Sequence, residues 1–133
     1  MKTQIRSKTV DRLTKREVEE CAFLTHRKAG MMEDALRGIY NESPYYKTKG
    51  RAIMLRDSNN GTLLSWCLLF GNGIPRAYFY THKDYRRKGY GTLVYNHAKR
   101  FEPNMRVFPT NYTNTKFFRS VNGQQAPGYD WVE

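Results

Sequence analysis

A basic turn containing two glycines lies near the middle of the chain and carries the residue types best suited to chemistry. It consists of Arg86, Arg87, Lys88, Gly89, Tyr90, Gly91 and Thr92. An apolar segment precedes it and a helical pattern follows. Glycine lets the backbone approach a ligand closely. The first N–H groups of a helix lack intrahelical partners and favour a phosphate. With its three adjacent cations, the turn predicts a cradle for a phosphate or pyrophosphate.

Two other interpretations of the residues bear on this turn. It lacks the lysine-plus-hydroxyl ending of the P-loop, GxxxxGK[ST], so an NTPase is not predicted. A glycine turn with solvated arginines and no ligand is the plain alternative, and the residues alone leave it open.

The cysteines and histidines do not suggest a metal site. Cys21 and Cys67 are 46 residues apart, and the three histidines are scattered along the chain. Neither spacing is typical of a metal centre or a disulfide framework. We therefore expect no metal, and two buried thiols in a reducing compartment.

The pattern of apolar residues, caps and turns predicts the elements that position the basic turn. Thr14 and Glu17 have capping-box spacing at the start of a helix, and Asn60-Gly61 is a hairpin dipeptide. The expected order is β-α-α-β-β-β-α-β-α-β. Strands are expected at 3–10, 51–57, 62–70, 76–82, 105–108 and 129–132, and helices at 12–29, 32–40, 91–101 and 114–121. The strand at 62–70 is continuously apolar and is expected to be central.

Composition limits the class of protein. The chain has 133 residues, 39% of them apolar, which favours one domain over residues 1–133. No apolar run approaches the roughly 18 residues of a membrane span. The first residues, MKTQIRSKTVDRL, are charged throughout and are not typical of a secretory leader. We expect a cytoplasmic protein, bacterial or phage-encoded, that does not associate with a membrane.

The charge is strongly positive and uneven. The formal net charge is +11 and the sequence pI is about 9.8. Residues 76–119 hold ten basic and two acidic residues, which is +8 of that total. Solubility alone could explain the excess. An anionic partner, such as a phosphorylated cofactor, a nucleic acid or both, is the sharper hypothesis.

The turn and its surroundings resemble the GNAT N-acetyltransferases. The spacing Arg86-x-x-Gly89-x-Gly91 is similar to that family's coenzyme A motif, (Arg/Gln)-x-x-Gly-x-(Gly/Ala). The order of elements agrees over about residues 3–123. The resemblance implies an α+β fold, with a mixed, mostly antiparallel central sheet and helices on both faces. It also implies acetyl-CoA as the cofactor.

The resemblance implies contacts to coenzyme A, residue by residue. The backbone of Phe79, Tyr80 and Thr81 would hold the pantetheine arm, with 105–108 as the partner strand. The N–H groups from Arg86 to Thr92 would hold the pyrophosphate. The side chains of Arg86, Arg87 and Lys88 would reach phosphate oxygens or the 3′-phosphate. Asn111, which matches a family asparagine, would contact the pantetheine arm.

Two departures from the family pattern concern proton transfer. Phe118 stands where the family usually places the tyrosine that protonates the departing thiolate, and phenylalanine cannot donate a proton. Residues 76–82 hold no carboxylate, and Arg106 occupies the other usual carboxylate position. The nearest candidates for catalysis are Tyr80, His82 and Tyr112. The alternative interpretation of His82 is an exposed residue at a strand end.

The acceptor is less defined. Tyr45 and Tyr46 would lie on the acceptor side as a substrate lip, or serve as ordinary loop aromatics. The net charge disfavours cationic acceptors such as polyamines and favours RNA, aminoacyl-tRNA, DNA or an acidic protein. The protein would be a monomer or homodimer. Three functions remain open: an acetyl-CoA-dependent N-acyltransferase, a GNAT-like domain without catalysis that binds a nucleic acid or a protein through its basic face, and a plain DNA- or RNA-binding module.

Overall fold

A six-stranded mixed sheet organises the chain in the computed structural model, which describes residues 2–9, 12–25, 50–70, 76–107, 112–121 and 123–125. The strands are β1 (Thr3–Thr9), β2 (Arg51–Asp57), β3 (Leu63–Phe70), β4 (Arg76–Thr81), β5 (Arg106–Val107) and β6 (Gln124–Gln125). The helices are α1 (Lys15–Thr25), α2 (Tyr90–Phe101) and α3 (Tyr112–Ser120), with a 3-10 turn at Lys83–Tyr85. The strands lie side by side in chain order.

The direction of the strands changes at β4. The pairings from β1 to β4 are antiparallel, whereas β5 runs parallel to β4 and β6 runs parallel to β5. The two parallel pairings each follow a helix, α2 and then α3, as a crossover requires. The expected fold class is confirmed: an α+β domain with a mostly antiparallel sheet.

Most of the expected elements are present with small shifts at their ends. The helix expected at 12–29 begins at Lys15, and that expected at 114–121 begins two residues earlier, at Tyr112. The helix expected at 32–40 and the strand at 129–132 lie outside the described residues. β6 was not expected, because two glutamines between turn signals carry no strand pattern.

The central strand β3 is buried on both faces, as its continuous apolar run predicts. Leu63 to Leu69 are each at most 3% exposed. On one face, β2, β3 and β4 pack against α2 and α3 in a single core cluster. Its buried members are Ile53, Leu55, Cys67, Leu69, Ala77, Val94, Tyr95, Ala98, Met105, Val107 and Phe118. This cluster positions the start of α2 over the end of β4.

The opposite face is covered by α1, which two ion pairs attach to the sheet. Lys8 of β1 donates to Glu17 at 2.8 Å, and the Arg56 guanidinium of β2 donates to the Glu20 carboxylate, with Nη1 2.7 Å from Oε2. Lys8 lies directly opposite Ala52, and that position is on the face away from Ile53. Helices therefore lie on both faces of the sheet.

The expected capping box begins α1. The Glu17 N–H donates to Thr14 Oγ1 at 3.1 Å, and the Thr14 N–H donates to Glu17 Oε1 at 2.9 Å. Burial alone would raise the pKa of Glu17, but the hydrogen bonds from Lys8 and from the Thr14 backbone lower it overall. The reciprocal bonds satisfy two donors that a helix start otherwise leaves without partners.

Replacing the capping hydroxyl is expected to weaken the fold. Thr14→Ala removes one of the two reciprocal bonds and should lower the free energy of unfolding by about 1 kcal/mol. Urea denaturation followed by circular dichroism measures this change. Arg16→Ala, at an exposed position in the same turn, is the control. Equal stabilities for the two variants would contradict a capping role for Thr14.

Candidate active site

The basic turn connects β4 to α2 and is held at its start by the sheet. The His82 N–H donates to the Leu64 carbonyl of β3 at 3.1 Å, and the Tyr85 N–H donates to the His82 carbonyl at 2.8 Å. His82 Nδ1 accepts from the Asp84 N–H at 3.2 Å. The chain then reaches the exposed residues Arg86, Arg87 and Lys88 before the helix begins. The turn is therefore anchored at its β4 end and open to solvent at its cationic end.

Gly89 caps α2 in a conformation that suits glycine. Its φ is 81° and its ψ is 3°, and it supplies no side chain to cap the helix. Arg87 also has a positive φ, 63°, a strained conformation of the kind that clusters at functional sites. The first intrahelical bond, from the Leu93 N–H to the Gly89 carbonyl at 3.1 Å, lies beyond the N–H groups of Gly91 and Thr92. The first turn of α2 contains no acidic residue, so this end of the helix suits an anion.

Gly91 lets α2 approach the sheet and α3 closely. A Cβ atom on this residue would lie 3.2 Å from Thr81 Oγ1 and 3.2 Å from Phe117 Cε1. Both Thr81 and Phe117 would have to move slightly to make room for this Cβ. The second glycine of the motif thus has a packing role, whereas a Cβ on Gly89 would meet nothing within 4 Å.

The edge of β4 next to β5 presents backbone groups of alternate residues. The described pairing of β4 with β5 consists of Arg76 with Arg106 and Ala77 with Val107. Hydrogen bonding alternates along an antiparallel pair, and His82 donates to β3. It follows that the N–H and C=O of Tyr80 face β3, while those of Phe79 and Thr81 face the β5 side. Of the three residues expected to hold the pantetheine arm, Phe79 and Thr81 therefore direct their backbone groups toward the β5 side, and Tyr80 does not.

Arg86 folds back onto the end of β4. Its Nε donates to the Thr81 carbonyl at 3.1 Å, and its guanidinium carbon lies 5.8 Å from the centre of the Tyr80 ring. Thr81 Oγ1 lies 2.8 Å from Ser65 Oγ, which fixes the same end of the strand to β3. The Arg86 side chain is exposed, and its guanidinium carries two further nitrogen donors besides Nε.

Four aromatic rings fill the space between β4, α2 and α3. The Phe79 ring lies 5.5 Å from Tyr95, 6.4 Å from Phe117 and 5.9 Å from Phe118, measured between ring centres. Tyr95 and Phe117 are 6.2 Å apart and nearly perpendicular. Phe118 is 3% exposed, so the residue at the usual position of the proton donor is part of the core. We call these four residues the aromatic cluster.

Two of the candidate proton-transfer residues, Tyr80 and His82, lie outside the aromatic cluster. Tyr80 pairs directly with Trp66 on the opposite face of the sheet from Phe79. His82 is partly buried against the Tyr85 ring, with Nδ1 3.5 Å from Asp84 Oδ2. The backbone of Tyr112 begins α3, but its side chain is not among the described groups. Asn111, Tyr45 and Tyr46 lie outside the described residues.

Tyr95, a polar residue of the cluster, is not among the predicted site residues. Tyr95 is 2% exposed, and its hydroxyl has no hydrogen-bond partner within the described residues. Burial raises the pKa of Tyr95. Tyr95 lies on the same buried face of α2 as Val94 and Ala98, so its position in the sequence indicates a core residue. The only signal in the sequence is that a tyrosine stands on the apolar face of α2, where a side chain without a hydroxyl would pack equally well.

The described residues contain neither a cluster of metal ligands nor a membrane-spanning helix. Within them, no group of three or more His, Cys, Asp or Glu residues could hold a metal ion. None of their helices is both long enough and apolar enough to span a bilayer. Cys21 and Cys67 are free and buried, and burial raises the pKa of the Cys21 thiol to about 12.

Comparison with known proteins identifies the fold. No protein-family model and no curated protein sequence matches the chain. Among solved structures, a GNAT-family acetyltransferase from Streptococcus pneumoniae TIGR4 superposes with a TM-score of 0.63 at 16% identity, over 99% of this chain and 98% of that one. The fold is that of the GNAT acetyltransferases.

Two other solved structures share the GNAT fold with this chain. The ribosomal-protein-alanine N-acetyltransferase of Brucella melitensis biovar Abortus 2308 has a TM-score of 0.59 at 16% identity, covering 100% of this chain and 99% of its own. AAC(6')-Iy, solved in complex with the bisubstrate analogue CoA-S-monomethyl-acetylneamine, has a TM-score of 0.66 at 12% identity, covering 100% of this chain and 98% of its own. The resemblance inferred from Arg86, Gly89 and Gly91 is thus confirmed at the level of the fold.

Proposed function

We propose that this GNAT-fold chain is an acetyl-CoA-dependent N-acyltransferase that transfers an acetyl group to an amine. The observation that carries the proposal is the junction of β4 and α2. The helix starts there without a side-chain cap, at a glycine with φ of 81°. Three exposed cations lie just before it. The adjoining edge of β4 directs backbone groups toward the β5 side.

The residues present fit coenzyme A. Bound there, the cofactor would supply an acetyl group activated as a thioester. The N–H groups of Gly91 and Thr92 would bind the pyrophosphate, and the side chains of Arg86, Arg87 and Lys88 would neutralise phosphate charge. The N–H and C=O groups of Phe79 and the N–H of Thr81 would hold the pantetheine amides as an added strand would, by main-chain hydrogen bonds.

Positioning and polarisation would supply much of the rate. Residues 76–82 contain no carboxylate, so no acidic side chain of β4 can take a proton from the amine. Water or a low-pKa amine can replace it. A backbone N–H at the β4 edge, held by the strand, would stabilise the negative charge that develops on the carbonyl oxygen. Holding the two reactants together lowers the barrier further.

Calorimetry and a turnover assay test this proposal together. The purified protein should bind coenzyme A and acetyl-CoA and should release free thiol when an acceptor amine is present. RNA, aminoacyl-tRNA, acidic proteins and small amines form the panel of acceptors. Absence of acetyl-CoA binding would overturn the proposal. Tight binding without acetyl transfer to any class of acceptor would replace it with the second candidate.

The second candidate is a GNAT-fold module that binds a nucleic acid or protein through its basic face. It is favoured by the absence of a carboxylate in β4 and by Phe118 being part of the core. Exposed basic residues lie in the turn, at Arg86, Arg87 and Lys88, and on α3, at Lys116 and Arg119. The same charge also favours an anionic acceptor in the first candidate, so charge alone does not separate the two.

The salt dependence of binding should separate classes of acceptor. If RNA or DNA is bound, the affinity should fall by about 10³–10⁵-fold between 50 and 200 mM salt for six to ten phosphate contacts, since each contact releases counterions. Fluorescence anisotropy with a labelled oligonucleotide measures this. Affinity for acetyl-CoA, with far fewer phosphates, is the internal control and should change much less. A flat response for RNA and DNA would indicate a small or protein acceptor.

A further inference from the structure

The hydroxyl of Tyr95 is a buried polar group with no hydrogen-bond partner among the residues that the structure describes. Its ring contacts Phe79 and Phe117, and the other three members of the aromatic cluster are phenylalanines. A phenylalanine would pack in the same place and leave no polar atom unpaired. A buried hydroxyl without a partner destabilises a fold. An unpaired buried hydroxyl is therefore a candidate to bind a ligand atom.

The position of Tyr95 relates it to the site. It lies one helical turn after Gly91, where an added Cβ would come within 3.2 Å of Thr81 Oγ1 and of Phe117 Cε1. Side chains on a helix lean toward its N-terminus, which here is the basic turn. The nearest ring on β4, 5.5 Å away, belongs to Phe79, whose backbone faces β5. The phenol is thus packed between α2 and the stretch of β4 assigned above to the pantetheine arm.

We propose that Tyr95 donates its Oη proton to the thiolate that leaves during acetyl transfer, the role that Phe118 cannot perform. This inference rests on the proposed acyltransferase function. The amine nitrogen forms a bond to the acetyl carbonyl carbon, and the carbon–sulfur bond breaks with its electron pair on sulfur. The Tyr95 O–H proton passes to sulfur, and the proton lost by the amine returns through water to the phenolate. Protons and charges balance.

The environment of Tyr95 suits a donor at neutral pH. Burial among apolar rings disfavours the phenolate and raises the pKa of Tyr95, so the hydroxyl stays protonated before the reaction. Its ring is held by contacts with Phe79 and Phe117 from two other elements. Little reorientation is then needed when the thiolate forms.

The test is Tyr95→Phe, which removes the hydroxyl and keeps the ring. The variant should fold with an equal or higher melting temperature and bind acetyl-CoA as the parent does. Its turnover should fall by about 10²–10⁴-fold, the usual contribution of a well-placed acid. Tyr78→Phe, on the opposite face of β4, is the control for loss of a tyrosine hydroxyl and should keep its activity.

A second readout does not depend on turnover. The pKa of the thiol of bound coenzyme A can be measured from the ultraviolet absorbance of its thiolate. A hydroxyl that donates to the thiolate lowers that pKa, so Tyr95→Phe should raise it and Tyr78→Phe should not. An unchanged thiol pKa, or full turnover in Tyr95→Phe, would overturn the role of Tyr95 and leave the acyltransferase proposal intact. Failure of the parent to bind coenzyme A would overturn both.

Discussion

Gly89→Asp is expected to lower the affinity for coenzyme A by at least about tenfold, or 1.4 kcal/mol, with the fold retained. A Cβ at this position meets nothing within 4 Å, and aspartate tolerates a left-handed conformation better than most residues. The new carboxylate would lie at the start of α2. There it can cap the N–H groups that the pyrophosphate needs and repel the phosphates. Isothermal titration calorimetry with coenzyme A measures the loss.

Two further variants separate the effects of charge and of capping on coenzyme A affinity from a general effect of replacing a turn glycine. Gly89→Asn can cap the helix without a charge, so its loss of affinity should be smaller than that of Gly89→Asp. Gly61 has a similar φ, 76°, and equally open surroundings, in the turn between β2 and β3. Gly61→Asp should therefore leave the affinity unchanged. Equal affinities for the parent and Gly89→Asp would remove the pyrophosphate from this turn.

Phe118→Ala is expected to lower the free energy of unfolding by about 3–5 kcal/mol, the usual cost of truncating a buried phenylalanine. The ring is 3% exposed and packs edge-on against Phe79 and at 5.4 Å from Phe117. Its removal would leave a cavity between α3 and β4. Chemical denaturation with an unchanged m-value would show that stability alone has changed.

The matched control lies two residues earlier on the same helix. Lys116 is exposed, and Lys116→Ala should change stability by no more than about 0.5 kcal/mol. A loss below about 1 kcal/mol in Phe118→Ala would show that the site collapses around the missing ring. In that case the ring of Phe118 would contribute little to the stability of the fold.

The antiparallel strands and the basic turn could be predicted because their signals are local. Continuous apolar residues mark β3, Asn60-Gly61 marks the turn before it, and Thr14 with Glu17 marks the start of α1. In each case the residues that carry the signal also make the contact, as the two hydrogen bonds of the capping box show. The glycines of the basic turn likewise predict their own backbone geometry, since Gly89 adopts the positive φ.

The remaining features depend on contacts between distant parts of the chain. Gln124 and Gln125 form a strand only because β5 lies beside them, and no local pattern predicts that. Which β4 residues face β5 depends on the register with β3, set by pairs such as Trp66 with Tyr80. The packing of Tyr95 is visible only once the rings of Phe79 on β4 and Phe117 on α3 are brought beside its own ring.

The pairing of β1 with β2 has a consequence for changes in the length of the chain. Thr9 lies opposite Arg51, so this ladder fixes the two ends of residues 10–50, a segment that includes α1. The entropy cost of closing such a segment grows slowly with its length, by about 0.6 kcal/mol for each doubling. The β4–α2 junction lies outside this segment, so a change in the length of the segment costs the fold little chain entropy and leaves the sequence of the proposed cofactor site unchanged.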